Sequence, residues 1–260
     1  MSYFFRHWRL LARMVERDLR SKYVGSMIGL FWTVINPLLL LLVFTFIFSV
    51  IFRARFNNQP GVASSALYIL CGLIPWLGFQ EGIARSSSYL TENRSLVSRV
   101  KFPVHILPGV PVLSGFCGQL IGFVALLVWA GVKGKMELPA VLFLPVWMLL
   151  QIGLAMGLAY AFSAIAVWVR DLVQLVPVML LVWMYATPIF YPAQLVPERF
   201  RFAVWINPVA HLVEGYRKII LEGTMPGKAQ TLYLLGATLT SLAIGALIFA
   251  RLQNKIADRI

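Results

Sequence analysis

Long runs without a charged residue alternate along this chain with short polar segments. A helix needs about 20 predominantly apolar residues to cross the hydrocarbon core of a bilayer. Residues 23–52 carry no charge, and 66–84 hold Pro75 and, near their end, Glu81. Residues 102–132 are charge-free again, but Pro103, Pro108 and Pro111 crowd the start, so the span proper begins at Val112. Three further runs occupy 138–169, 172–197 and 229–250. The pattern predicts an all-α integral membrane protein with six transmembrane helices, at 23–52, 66–84, 112–132, 138–169, 172–191 and 229–250. They form a single domain over 1–260.

Residues 1–22 follow another pattern. Phe4, Trp8, Leu11, Val15 and Leu19 recur at spacings of three or four, with Arg9, Arg13, Arg17 and Arg20 between them. Such a helix lies in the headgroup region with its apolar face down; the alternative is a plain cytoplasmic extension. It is not a signal peptide, because no short apolar core with a small-residue cleavage site follows the charges. With the amino terminus inside, the inner segments hold most of the 23 Lys and Arg, which places both termini in the cytoplasm.

Composition narrows the class. Sixty per cent of residues are hydrophobic and 13% charged, with mean hydropathy +0.79. This excludes a disordered tail, a secreted disulfide scaffold and an ordinary soluble enzyme. A net charge of +13 would suggest nucleic acid in a soluble protein; here basic loops facing anionic lipid account for it, and no nucleic-acid partner is expected. Cys71 and Cys117 sit in apolar runs and read as inert core residues.

Three regions depart from ordinary loops. Residues 85–101 are Ser-rich and basic; Ser87 or Ser88 could cap a short helix with Leu90, Leu96, Val97 and Val100 on its apolar face. It is either a docking element for a soluble partner or a solvated topogenic loop. Residues 186–208 contain Pro188, Pro192, Pro197 and Pro208, too many for one helix, in a stretch too apolar for an open loop. They are either re-entrant backbone beside a cavity or an amphipathic helix on the outer leaflet. Aromatics crowd the first span (Phe31, Trp32, Phe44, Phe46, Phe48) and the fifth (Trp183, Tyr185, Phe190, Tyr191). They stack on the apolar faces of sugars, or else pack against lipid and neighbouring helices.

Missing chemistry also counts. There is no Gly-x-x-x-x-Gly-Lys-Ser/Thr phosphate loop and no His-Glu-x-x-His motif. His7, His105 and His211 are far apart in sequence, so no metal site is expected. Glu81 and the border residue Asp171 are the carboxylates in or beside spans, which disfavours ion-coupled transport. Gly118/Gly122 and Gly153/Gly157 would permit close helix packing.

Five blocks carry a resemblance. They are RDLRSKYVGSMIGLFWTVINPLL at 17–39, YILCGLIPWLGF at 68–79 with the basic loop and VKFPVHILP after it, VWVRDLVQLVPVMLLVWMYATPIFYP at 167–192, and INPVAHLVEGYRKIIL at 206–221 after the amphipathic N-terminal helix. Together the chain resembles the permease subunit of type-2 ABC exporters of polysaccharides, a group exporting O-antigen, teichoic acid and capsule. The pairs Arg170-Asp171, Thr187-Pro188 and Asn207-Pro208 are the most specific features.

The resemblance implies a homodimeric channel in a bacterial inner membrane, with two ATP-binding cassette subunits on the cytoplasmic face. ATP and Mg belong to those partners; this chain carries no cofactor and is not an enzyme. Residues 1–22 resemble an interface helix, and 85–101 a coupling helix between spans 2 and 3, with Tyr89, Leu90, Glu92, Asn93, Arg94 and Leu96 contacting the ATPase. Phe31, Trp32, Phe44, Phe48, Trp183, Tyr185, Phe190 and Tyr191 would line the channel. Re-entrant helices between spans 5 and 6, at 188–221, resemble an outer gate containing Pro188, Pro192, Pro197, Asn207 and Pro208. Arg170 and Asp171 fall at the inner mouth, where Arg17, Arg20 and Lys22 could attract the pyrophosphate of a lipid-linked polysaccharide. The expected substrate is O-antigen, with teichoic acid, capsule, small lipids or drugs as alternatives. An integral membrane enzyme acting on lipid-linked sugars is the competing class, but the convergent acid or histidine set it needs is not seen.

Overall fold

The computed structural model describes residues 7–22, 29–32, 35, 38, 39, 42, 43, 46, 62–97, 102–132 and 138–259. The first expected span, 23–52, therefore lies largely outside the described residues, as do Phe44 and Phe48. The described elements are helical. They are α1 (Trp8–Lys22), α2 (Val62–Glu92), α3 (Arg94–Val97), α4 (Gly109–Val132), α5 (Leu138–Leu142), α6 (Leu144–Ala166), α7 (Leu172–Ala186), α8 (Glu198–Ile206), α9 (Pro208–Arg217) and α10 (Lys228–Arg259).

Among the described residues four helices are long and apolar enough to cross a membrane: Leu67–Glu92, Val104–Val132, Pro139–Ala166 and Lys228–Gln253. The 31 residues of α2 reach about 46 Å, against a hydrocarbon core of about 30 Å. The helix therefore runs on through the polar stretch where the sequence suggests a separate loop. The fifth expected span is shorter than its apolar run. α7 has 15 residues, about 22 Å, and stops at Ala186 rather than continuing to Tyr191. Thr187 is extended at φ −97°, ψ 135°, as a residue before proline prefers, and Pro188 brings no N–H to continue the ladder.

The main core is shared by α2, α4, α6, α7 and α9, and includes Trp76, Phe79, Phe123, Trp147 and Tyr216. Glycines bring α2 and α4 together: a Cβ on Gly82 would lie 2.8 Å from the Cα of Val112. Gly153 and Gly157 are used likewise, against Thr238 and Ser241 of α10.

A second core gathers at one end, where Leu11, Met14 and Val15 of α1 meet Tyr89, Leu90, Ile106, Leu107, Val110, Ala164 and Phe249. Part of the apolar face of the amphipathic helix thus rests on the chain's own helix ends, while Trp8 stays 60% exposed.

Candidate functional site

Two polar constructions, one at each end of the bundle, carry the sequence-predicted residues. The first joins α1 to α2. Asp18 lies on the apolar face of α1, three residues after Val15 and seven after Leu11, and is buried. Arg85 grips it with both arms: Nη2 donates to Oδ1 at 2.6 Å and Nη1 to Oδ2 at 2.7 Å. This is the fork geometry that arginine favours with carboxylates. Burial pushes the Asp18 carboxyl up, but the hydrogen bonds from Arg85 and the nearby charges of Arg85 and Lys22 outweigh it, and the net direction is down. Lys22 meets Glu81 at 2.6 Å, and Arg17 donates to Asn93 at 3.5 Å.

Of the residues expected to meet the ATPase, Tyr89 and Leu90 are buried against α1. The surface left open is Glu92, Arg94 and Ser95, with Asn93 and Leu96 half-buried. Arg17, Arg20 and Lys22 each face a group of this chain, Arg20 meeting Glu16 at 2.6 Å. Arg170 and Asp171 stand exposed in the turn before α7. His7 and His105 do come together, with ring centroids 5.7 Å apart; among the described residues no group of three metal-ligating side chains forms.

The second construction holds the proline-rich segment at the opposite end. Asn207 caps α9, its Oδ1 accepting from the Val209 N–H at 3.0 Å, and Pro208 occupies the first helical position, where a missing N–H costs nothing. The same oxygen accepts from Trp183 Nε1 at 2.9 Å, and Nδ2 donates to Thr187 Oγ1 at 2.9 Å. The Thr187-Pro188 and Asn207-Pro208 pairs are thus two halves of one clasp.

Arg217 completes it. This buried arginine donates to the carbonyls of Pro188 and Ile189, each at 2.8 Å. Its guanidinium lies 3.6 Å from the ring centroid of Tyr68, and Glu214 is 3.7 Å away. Backbone that leaves a helix inside an apolar environment must find partners for its carbonyls; Arg217 supplies them. The sequence reading did not single out Arg217, and neither did it pair Asp18 with Arg85. The available signals were an acid on an apolar helix face and an arginine at helical spacing from Val213 and Ile220, each of which demands a buried partner.

A buried amide knot ties these parts together. The side-chain amides of Gln119 and Gln151 face each other, at 2.6 and 3.0 Å. Gln151 also donates to the Pro75 carbonyl at 3.0 Å and accepts from Tyr216 Oη at 2.6 Å. α9 is thereby anchored to α2, α4 and α6.

The aromatics divide. Phe31, Trp32 and Tyr185 are exposed on the single chain. Trp183 packs edge-on to Trp76 and Phe79, and Tyr191 is half-buried. Phe190 is 1% exposed and packs in the core of the single chain. The turn enforced by Pro188 points it inward.

Among the described residues four helices are long and apolar enough to cross a membrane, which defines the class as a multi-pass membrane protein. Residues 9–221 match the ABC-2 type transporter family, and the chain belongs to that family. It is a transport component, not an enzyme, and membership implies an ABC ATPase as partner. The chain is 29% identical over 253 residues to an O-antigen export system permease protein, RfbA, of Myxococcus xanthus, covering 96% of this chain and 95% of that one. A protein of the same name from Klebsiella pneumoniae is 28% identical, covering 96% and 94%. The polysialic acid transport protein KpsM of Escherichia coli is 23% identical, covering 90% and 89%.

Proposed function

We propose that this chain is the channel-forming permease subunit of an ATP-driven exporter that moves a lipid-linked polysaccharide, O-antigen in the first instance, from the cytoplasmic to the outer face of a bacterial inner membrane. The observation that carries this is the near end-to-end similarity to O-antigen export permeases. The lower similarity to a polysialic acid transporter makes a capsular polymer the second reading.

In this reading two copies form the channel, both termini are cytoplasmic, and two ATPase subunits dock beneath, binding ATP and Mg. The partner meets Glu92 and Arg94 at the exposed tip of α2 and α3. Because Asp18 and Arg85 bind α1 to the same helix, a push on that tip moves α1 and α2 as one body, a rigid two-state motion. A lipid pyrophosphate enters near the basic face of α1. Exposed Phe31, Trp32 and Tyr185 give a sliding surface for sugar rings, and the clasp at Thr187 and Asn207 holds the outer gate segment. This chain makes and breaks no bond in the polymer.

The test is co-expression with an ATPase encoded nearby. Complex formation and ATP turnover are measured with and without Glu92→Ala and Arg94→Ala, and surface polymer is measured in a permease-deficient host. Association, weakened by the two changes, and restored polymer support the reading. A chain that binds no ATPase and restores no polymer overturns it.

A further inference from the structure

A cavity of about 460 Å³ lies between α8 and α9, outside every residue assigned so far to the channel wall. Trp205, Val204 and Ala210 give it apolar walls; Gln194, Arg201, His211 and Glu214 give it polar ones. Two features set it apart from a lipid-facing cleft. It holds a carboxylate and a guanidinium, which are costly against hydrocarbon. It also keeps Trp205, 64% exposed, as an indole face beside those polar groups.

The polar groups are held in place. The Arg201 guanidinium is fixed by the Val196 carbonyl at 3.2 Å and the Gln194 carbonyl at 3.5 Å, with Glu198 at 3.6 Å. Glu214 is oriented by the buried Arg217. His211 Nε2 donates to the Trp205 carbonyl at 2.7 Å, and its ring meets Tyr233 at 4.5 Å. Groups fixed before a ligand arrives lose little entropy when it binds.

An aromatic face beside a carboxylate, a guanidinium and an amide matches one ligand chemistry. A pyranose has a flat C–H face to lay on an indole and a rim of hydroxyls that both donate and accept. Glu214 accepts from hydroxyls, Arg201 donates to them, and Gln194 does either. The volume lies in the range of small-molecule sites.

We propose that the α8–α9 cavity is a saccharide subsite, with Trp205 as the stacking platform and Glu214 and Arg201 as the hydroxyl ligands. It deepens the polysaccharide-export reading and rests on it. A sugar unit held here would bias a polymer against sliding back, and an open-mouthed site of few contacts would still release it.

Saturation-transfer NMR tests this on the full chain with its ATPase partner. The probes are methyl pyranosides of glucose, galactose, mannose, rhamnose and N-acetylglucosamine. The expected result is saturable binding of at least one, weakened about tenfold or more by Trp205→Ala and Glu214→Gln, kept by Trp205→Phe, and untouched by Trp8→Ala. No saturable binding, or equal binding in all variants, overturns the proposal.

Surface polymer in a permease-deficient host separates it from the export reading. Restoration by wild type but equally by Trp205→Ala, with normal ATP turnover, sinks the subsite alone. Pyranoside binding by a chain that restores no polymer sinks the export reading alone. Lower polymer with normal ATP turnover in Trp205→Ala, relieved in Trp205→Phe, supports both.

Discussion

Arg85 reaches across 67 positions of sequence to hold both oxygens of Asp18, at 2.6 and 2.7 Å, and so binds the amphipathic helix to the long helix that ends at Glu92. Removing one partner strands the other in a poorly solvated place. Asp18→Asn or Arg85→Ala should each cost about 3 kcal/mol, the lower end for a buried pair because the Arg85 side chain keeps 31% exposure. The exchange Asp18→Arg with Arg85→Asp should recover part of the loss. Thermal unfolding of the purified chain in detergent reads both, and equal stability of the single variants and wild type would contradict the clamp.

The same pair predicts a pH dependence. The Asp18 carboxyl is held below its ordinary value, so the folded state binds this proton more weakly than the unfolded one. Its stabilisation is complete above the unfolded value, about 3.9, and is lost as pH falls through the lower folded value. The stability gap between wild type and Asp18→Asn should be constant near neutral pH and shrink below about pH 4. A gap that widens on acidification would reverse the sign.

Arg217→Lys keeps the charge but loses the planar fork and the stack on Tyr68. One ammonium nitrogen then replaces two separately placed guanidinium nitrogens at the Pro188 and Ile189 carbonyls, at an expected cost of about 2–3 kcal/mol. Hydrogen exchange should rise locally over 187–192 before the rest of the bundle loosens. Unchanged protection there would mean that Arg217 is not what holds the turn.

Gln119 and Gln151 should behave as one unit. Gln151→Leu strips Gln119 of both its bonds to the facing amide and removes the 2.6 Å acceptor of the Tyr216 hydroxyl, costing about 2–3 kcal/mol. The double change to Leu should cost clearly less than the sum of the singles, since Gln119→Leu then removes a group already stranded. Strict additivity in a double-mutant cycle would show that the two amides do not interact.

Much of this was legible beforehand, and the misses share a cause. Asn207-Pro208 could be read as the start of a helix because a cap and an N1 proline are neighbours in sequence, and α9 does begin there. The apolar character of Leu90 says only that something covers it, and on this chain α1 does. Phe190 continues the aromatic run of α7 in sequence, but Pro188 ends the helical phase and Phe190 packs in the core. The fifth helix stops at Ala186 although the apolar run continues, because hydropathy does not register a missing N–H.

The sequence by itself determined the membrane class, the apolar segments that build the bundle and the positions where helices must break. Each follows from costs borne along a single stretch of chain: a charge in hydrocarbon, or a proline without its N–H. Only the tertiary structure decided that Asp18 belongs to Arg85, that Arg217 serves the carbonyls of Pro188 and Ile189, and that Gln119, Gln151 and Tyr216 form one knot. Those partners sit on different helices. Whether they meet depends on where the helices cross and how they are rotated, which close contacts such as Gly82 against Val112 decide in space.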